Sequence, residues 1–174
     1  LTCAITTSDS QAHAKQGFLS ILPSTGINVS VKLTAALVEA FAGAFLSPMY
    51  DEPVRTPDLH RECWDLYCSD ATQCAVAAPR GHAKSTALTH DFILATALFR
   101  DQQYIMLVGS TEDMAIGHLG DIAKELRDNE DLRAEFGIVS LPTDAKTDVI
   151  ATCSDGYQFR IIAKGAGQKM RGAK

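Results

Sequence analysis

Ala78-Pro79-Arg80-Gly81-His82-Ala83-Lys84-Ser85-Thr86 is the stretch that sets how the rest of the chain is read. A short apolar run, Gln73 to Ala77, leads into it, and an apolar, helix-like run follows from Thr86 to Arg100. Strand, small-residue turn, Lys-Ser/Thr and helix, in that order, is the plan of a phosphate-binding loop. Small residues let backbone N–H groups curl round an anion. Lys84 would reach the β/γ-phosphates, Ser85 would hold Mg²⁺, and the helix N-terminus adds partial positive charge. The usual pattern, G-x-x-x-x-G-K-S/T, has glycine at both ends, whereas Ala78 and Ala83 stand there in this chain. Alanine keeps the loop small but disfavours positive φ. The plainer alternative is a helix that opens with a lysine and two hydroxyl residues.

Composition bounds the class. The chain has 174 residues, 46% hydrophobic and 21% charged, with a net charge of −5, enough for one ordinary domain, or one and a small appendage. The mild acidity argues against nonspecific coating of DNA and leaves room for a local basic track. Five cysteines (Cys3, Cys63, Cys68, Cys74, Cys153), odd in number and irregularly spaced, read as reduced thiols. His60, Cys63, Cys68 and Cys74 cluster loosely, without the paired spacing of a zinc site.

Residues 1–27 are rich in Ser, Thr, Gln and Ala, lack a charged-then-apolar signal pattern, and read as a loose arm or short helix. Leu33, Leu37, Phe41 and Phe45 recur every fourth residue, predicting a helix that stops near Ser47-Pro48. Lys32 and Glu39 make it too broken for a membrane span. Asp58 to Tyr67 predicts a helix with Leu59, Cys63, Leu66 and Tyr67 inward.

Tyr104 to Gly109 is an uninterrupted apolar strand, suited to the inside of a parallel sheet. Ser110 is expected to cap the next helix, with Asp113 closing a capping box. That helix turns Ala115, Leu119, Ile122, Ala123 and Leu126 to one face and ends near Asp128-Asn129. Glu130 to Phe136 predicts a short helix closed by Gly137. Val149 to Cys153 and Tyr157 to Ala163 predict a hairpin round Ser154-Asp155-Gly156. Gly165 to Gly172 is a glycine-rich stretch carrying the pair Arg171-Gly172.

Together the loop, with Arg80 between strand and lysine, and the hairpin leading to an Arg-Gly pair resemble the large terminase subunits of tailed bacteriophages. Those are the motors that pump DNA into capsids. The resemblance implies an α/β P-loop NTPase of the RecA/ASCE-like kind, with a mainly parallel central sheet flanked by helices and a β-hairpin near the C-terminal end. An arm and helix over 1–50 would precede an ATPase core over 51–174. The cofactors implied are ATP and Mg²⁺. Nucleotide contacts would come from Pro79, Arg80, Gly81, His82, Ala83, Lys84, Ser85 and Thr86. His60, Arg61 and Trp64, on the helix upstream of the loop, would hold the adenine by stacking or hydrogen bonding; the alternative is a surface-to-core helix with Trp64 as an ordinary anchor.

By the same resemblance Arg80 acts as a cis sensor or finger, and Arg171 is offered to the neighbouring subunit's nucleotide. Arg160, Lys164, Lys169, Arg171 and Lys174 make that end locally basic, so Arg171 on a DNA track, or as a simple solvated charge, is the alternative. The implied partners are double-stranded DNA, neighbouring copies in a ring, the portal and the small terminase subunit. The implied place is the host cytoplasm, docked transiently on the procapsid. No apolar run ends in paired acids, so the Walker B carboxylates and any nuclease domain are expected beyond a chain that begins at Leu1 and ends at Lys174. Another P-loop translocase or helicase, or a non-hydrolysing nucleotide-binding segment, are the alternatives.

Overall fold

Thr34 starts the first long helix, its hydroxyl accepting from the Leu37 N–H at 3.2 Å. Ala35–Phe41 (α1) then widens into a π turn, Ala42–Leu46. The computed structural model describes residues 14–20, 31–47, 50 and 55–168, in two compact units, Leu1–Asp101 and Gln102–Lys174. α1 and the loop thus belong to the same unit.

In the first unit the four-residue apolar spacing is realised, with Leu33, Leu37, Phe41 and Phe45 all buried. A helical segment, 14–20, adds the fully buried Phe18, edge-on to Phe45 with ring centres 5.1 Å apart. Phe99 meets Phe18 at 6.1 Å and Phe41 at 5.8 Å, so four phenyl rings form one nucleus. Each such pair adds roughly 0.5–1.5 kcal/mol beyond its buried area.

Asp58–Tyr67 (α2) starts after Pro57, whose extended backbone and fixed φ suit a helix entry. Its inner face differs from the expected one. His60, Cys63 and Trp64 are buried, while Leu66 and Tyr67 are 38% and 36% exposed. The helix is rotated because both polar-tipped rings find hydrogen-bond acceptors inside. The stretch 73–77, expected as the strand before the loop, forms no ladder with any described strand. Cys74 and Val76 are half-buried while Gln73, Ala75 and Ala77 are exposed, a pattern of small residues with little side-chain area to hold a sheet. After the loop comes a π turn, Thr86–Asp91, and then Phe92–Leu98 (α3), closed by Arg100 at φ 63°.

The second unit holds Tyr104–Gly109 (β1), Glu112–Asp128 (α4), Glu130–Phe136 (α5), Ile138–Ala145 (β2), Asp148–Cys153 (β3) and Gln158–Gly165 (β4). The four strands lie in the order β1-β4-β3-β2. Only β1 and β4 run parallel; β4 with β3 and β3 with β2 are antiparallel. This α/β unit therefore has an open mixed sheet, which corrects the expected mainly parallel one. The hairpin accounts for the difference, since a tight turn at Gly156 (φ 86°) reverses the chain, and β2 adds a further antiparallel partner. β2 had no counterpart in the sequence reading. Pro142 and two register shifts interrupt its pattern.

α4 buries the expected face, Ala115, Leu119, Ile122, Ala123 and Leu126, and packs over β1 and β4. Its cap is Thr111, which accepts from the Met114 N–H at 3.3 Å, one residue later than the predicted Ser110. The Ser110 hydroxyl instead points at the Met114 sulfur, 3.0 Å away. Asn129 ends α4 and caps α5, and Gly137 closes α5 at φ 63° as expected. No described helix is long and apolar enough to cross a membrane.

Two glycines permit the close approach of α4. Gly109 and Gly165 are register partners, and both lie under its first turn. A Cβ on Gly109 would sit 2.6 Å from the Thr111 carbonyl oxygen, and one on Gly165 2.8 Å from the Glu112 nitrogen. Gly117 and Gly120, on the outer side of the same helix, have open space. Gly109→Ala and Gly165→Ala should each lower urea stability by about 1–3 kcal/mol. Gly117→Ala and Gly120→Ala should each raise it by about 0.5–1 kcal/mol. Equal effects at all four positions would contradict this packing.

Candidate phosphate-binding loop

The candidate site is built on backbone. Arg80 and Gly81 form a turn, and beyond it the N–H groups from Ala83 to Thr86 donate to no described residue; the first N–H of the following helix to do so is that of Ala87, to Ala83 O at 3.0 Å. Gly81 (φ 83°) and Ala83 (φ 48°) both take the left-handed conformation. Ala83 stands where the usual loop pattern has its second glycine, and the positive φ there is what that glycine normally supplies.

Side chains hold the loop from several directions. Lys84 reaches back across it, Nζ donating to Ala78 O at 2.7 Å and Pro79 O at 2.8 Å. From α2, His60 Nε2 donates to His82 O at 2.9 Å, and the buried Trp64 donates its indole N–H to Ala87 O, also at 2.9 Å. Ala87 O accepts the Phe92 N–H as well, since the π turn shifts the ladder by one residue. Thr89 donates its hydroxyl to Ser85 O at 2.5 Å. Behind the loop Asp91, only 3% exposed, accepts from Tyr50 Oη at 2.5 Å and His90 Nδ1 at 3.0 Å. That trio was missed in the sequence because Tyr50 and Asp91 are joined only by the fold.

The predicted site residues divide clearly. Pro79, Arg80, Gly81, His82, Ala83 and Ser85 are exposed, and Lys84 and Thr86 are half-buried, so the structure brings the whole loop together. Arg171 lies outside the described residues. Arg61 is engaged elsewhere: Nε and Nη2 bond Glu39 at 2.8 and 2.5 Å, and Nη1 bonds Asp58 at 3.2 Å. The Glu39 hydrogen bonds raise the Arg61 pKa further, against a smaller opposing effect of burial. Trp64, 1% exposed, leaves no ring face open to a base. His60 and Trp64, one helical turn apart, are the signal for an inward polar face that the hydropathy pattern missed.

At the basic end Arg160 is spent on Asp148, with Nε at 2.9 Å and Nη2 at 2.7 Å, and those bonds raise its pKa too. Among the described residues no three His, Cys, Asp or Glu side chains could hold a metal ion. Cys68 lines a cavity of about 200 Å³ with Leu33, Tyr67, Phe92 and Asp101. Burial, then the charges of Asp101 and Asp65, push its thiol up to about 11.

Two predictions follow from these geometries. If Ala83 carries left-handed strain, Ala83→Gly should be neutral or stabilising by up to about 1 kcal/mol, whereas Ala83→Val should cost about 1–2 kcal/mol. A stability loss for glycine in urea unfolding would contradict the positive φ. Cys68 holds its proton more tightly folded than unfolded. Its contribution is therefore fully present below its ordinary pKa of 9.0 and is lost as pH rises through about 11. The stability of wild type relative to Cys68→Ala should fall across that window and stay constant below it.

Comparison of the chain with family models, curated proteins and solved structures finds no match.

Proposed function

We propose that the chain carries the nucleotide-binding part of a P-loop ATPase of the large terminase kind, a motor that drives double-stranded DNA into a viral procapsid. One observation carries this reading. Consecutive N–H groups from Ala83 to Thr86 have no described partner and run into a helix that opens with Lys84-Ser85-Thr86. Such a row suits an anion with many acceptor oxygens, and a triphosphate matches its length and charge. ATP and Mg²⁺ fit the donor set: backbone amides and Lys84 for phosphate oxygens, the Ser85 hydroxyl for the metal.

Lys84 holds the β/γ-phosphates as a point charge, and Thr86 supports the turn. When bound, Mg²⁺ supplies charge neutralisation between those phosphates. Arg80, exposed in the loop, lies within its own subunit's site and stabilises charge at the γ-phosphate. Arg171 serves the site of a neighbouring copy in a homo-oligomeric ring. The ring works in the host cytoplasm, docked on the procapsid, with the portal and small terminase subunit as further partners.

Lys84→Ala in the full-length protein should abolish ATP turnover while leaving thermal unfolding unchanged; turnover within about twofold of wild type removes the loop assignment. Arg171→Ala should cut kcat on the order of 10³-fold with little change in ATP affinity. Mixing it with Lys84→Ala should restore part of the activity, while mixing Arg80→Ala with Lys84→Ala should restore none. A dead Arg171 mixture, or loss of DNA binding with basal turnover intact, replaces the trans role by a DNA contact.

A further inference from the structure

We infer that His60 is a positioning residue for the loop: by holding the His82 carbonyl it aims the Ala83 N–H at the bound phosphates, and it does not read the base. The inference rests on the phosphate-loop assignment and adds to it a part that the loop sequence does not contain.

The geometry is simple. His60 is buried at 8% exposure, on the inner face of α2, and its Nε2 lies 2.9 Å from His82 O. A carbonyl only accepts, so Nε2 must carry the proton. In a planar trans peptide the C=O and the following N–H point in opposite directions. With the His82 carbonyl fixed toward α2, the Ala83 N–H is turned away from α2, to the exposed side of the loop.

That peptide needs an anchor more than any other in the loop. Ala83 lies at φ 48°, a conformation an alanine leaves readily for the ordinary right-handed one. Rotation of the 82–83 peptide would relieve the strain and turn the N–H inward. Glycine at this position would need no such hold, so the buried histidine and the alanine are complementary choices. His82 makes its own side-chain contact with Arg80 O at 3.2 Å, which leaves its carbonyl to His60. Trp64, one turn further along α2, fixes the same segment at Ala87 O, so the loop is held at two points by one helix face.

The test uses the 174-residue chain and two probes with Mg²⁺, ATP and inorganic tripolyphosphate, titrated by calorimetry. His60→Leu keeps bulk and removes the donor; His60→Gln keeps a donor at a similar reach; Lys84→Ala is the control for the loop itself. His60→Leu should weaken both probes by roughly tenfold and to the same extent, and His60→Gln should recover most of the loss. In amide spectra the Ala83 N–H should shift with tripolyphosphate in wild type and lose that shift in His60→Leu.

A loss confined to ATP would overturn the inference and return His60 to the adenine. No loss in His60→Leu while Lys84→Ala loses both probes would overturn it too, leaving the phosphate loop standing. If wild type binds neither probe, the loop assignment fails and takes this one with it. Should His60→Leu not fold, nitrogen spectra of the wild-type imidazole in alkaline buffer decide. A proton on Nδ1 with Nε2 bare overturns the inference, and one on Nε2 supports it.

Discussion

The hydrogen bond from the Trp64 indole to the Ala87 carbonyl is the contact on which the first unit turns. A tryptophan at 1% exposure contributes a large buried area, but its N–H must find an acceptor or cost on the order of 1–3 kcal/mol. Helix interiors offer few carbonyls with room for a second donor. The π turn Thr86–Asp91 supplies one, because Ala87 O then receives the Phe92 N–H and keeps a lone pair for the indole. Once Trp64 is seated, His60 lies one turn before it beside His82, and Tyr67 nearly one turn after it, edge-on to Phe92 with ring centres 5.4 Å apart. One face of α2 therefore tracks the loop and its helix turn by turn.

The second unit rests on absence of side chains instead. Gly109 and Gly165 close the two parallel strands at the same level, and the first turn of α4 settles against both. Thr111 then caps a helix whose apolar face covers β1 and β4. On the strands below, Arg160 links β4 to β3 through Asp148 and lies over the Tyr104 ring of β1 at 6.0 Å. Three adjacent strands are thus joined by one guanidinium, with their buried side chains contributing the rest.

Much of this was legible in the residues, for reasons of period. The fourfold spacing of Leu33, Leu37, Phe41 and Phe45 and the face of α4 are strong helical signals, and both are buried as expected. Gly137 and Gly156 mark their turns through positive φ. What escaped the pattern was decided by single polar atoms or by partners distant in sequence. Hydropathy put Leu66 inside α2 and could not weigh the acceptors that draw His60 and Trp64 inward. Thr111 displaces Ser110 as cap because the two hydroxyls differ by one step in backbone geometry, which composition does not register. β2 was hidden by Pro142 and its register shifts, and the direction of the sheet by an antiparallel partner that only the fold supplies. At the loop, the residue types were legible but their anchors were not.

Those anchors explain how alanine can stand in a glycine's place. A left-handed alanine costs about 1–2 kcal/mol and persists only where its surroundings leave no better arrangement. Here His60 holds the carbonyl before Ala83, and Lys84, directly after it, is tied to the carbonyls of Ala78 and Pro79. The Ala87 N–H bonds to Ala83 O from the helix side. The peptides on both sides of the strained residue are therefore pinned. An anion that recruited Lys84 would replace two charge-assisted bonds to carbonyls, each worth roughly 1.5–3 kcal/mol, so the net contribution of the lysine would be a difference between similar interactions. The amides from Ala83 to Thr86 would not be discounted in this way, because they have no described partner to release. At this loop the strained residue is held by the polar contacts of its neighbours and not by its own side chain.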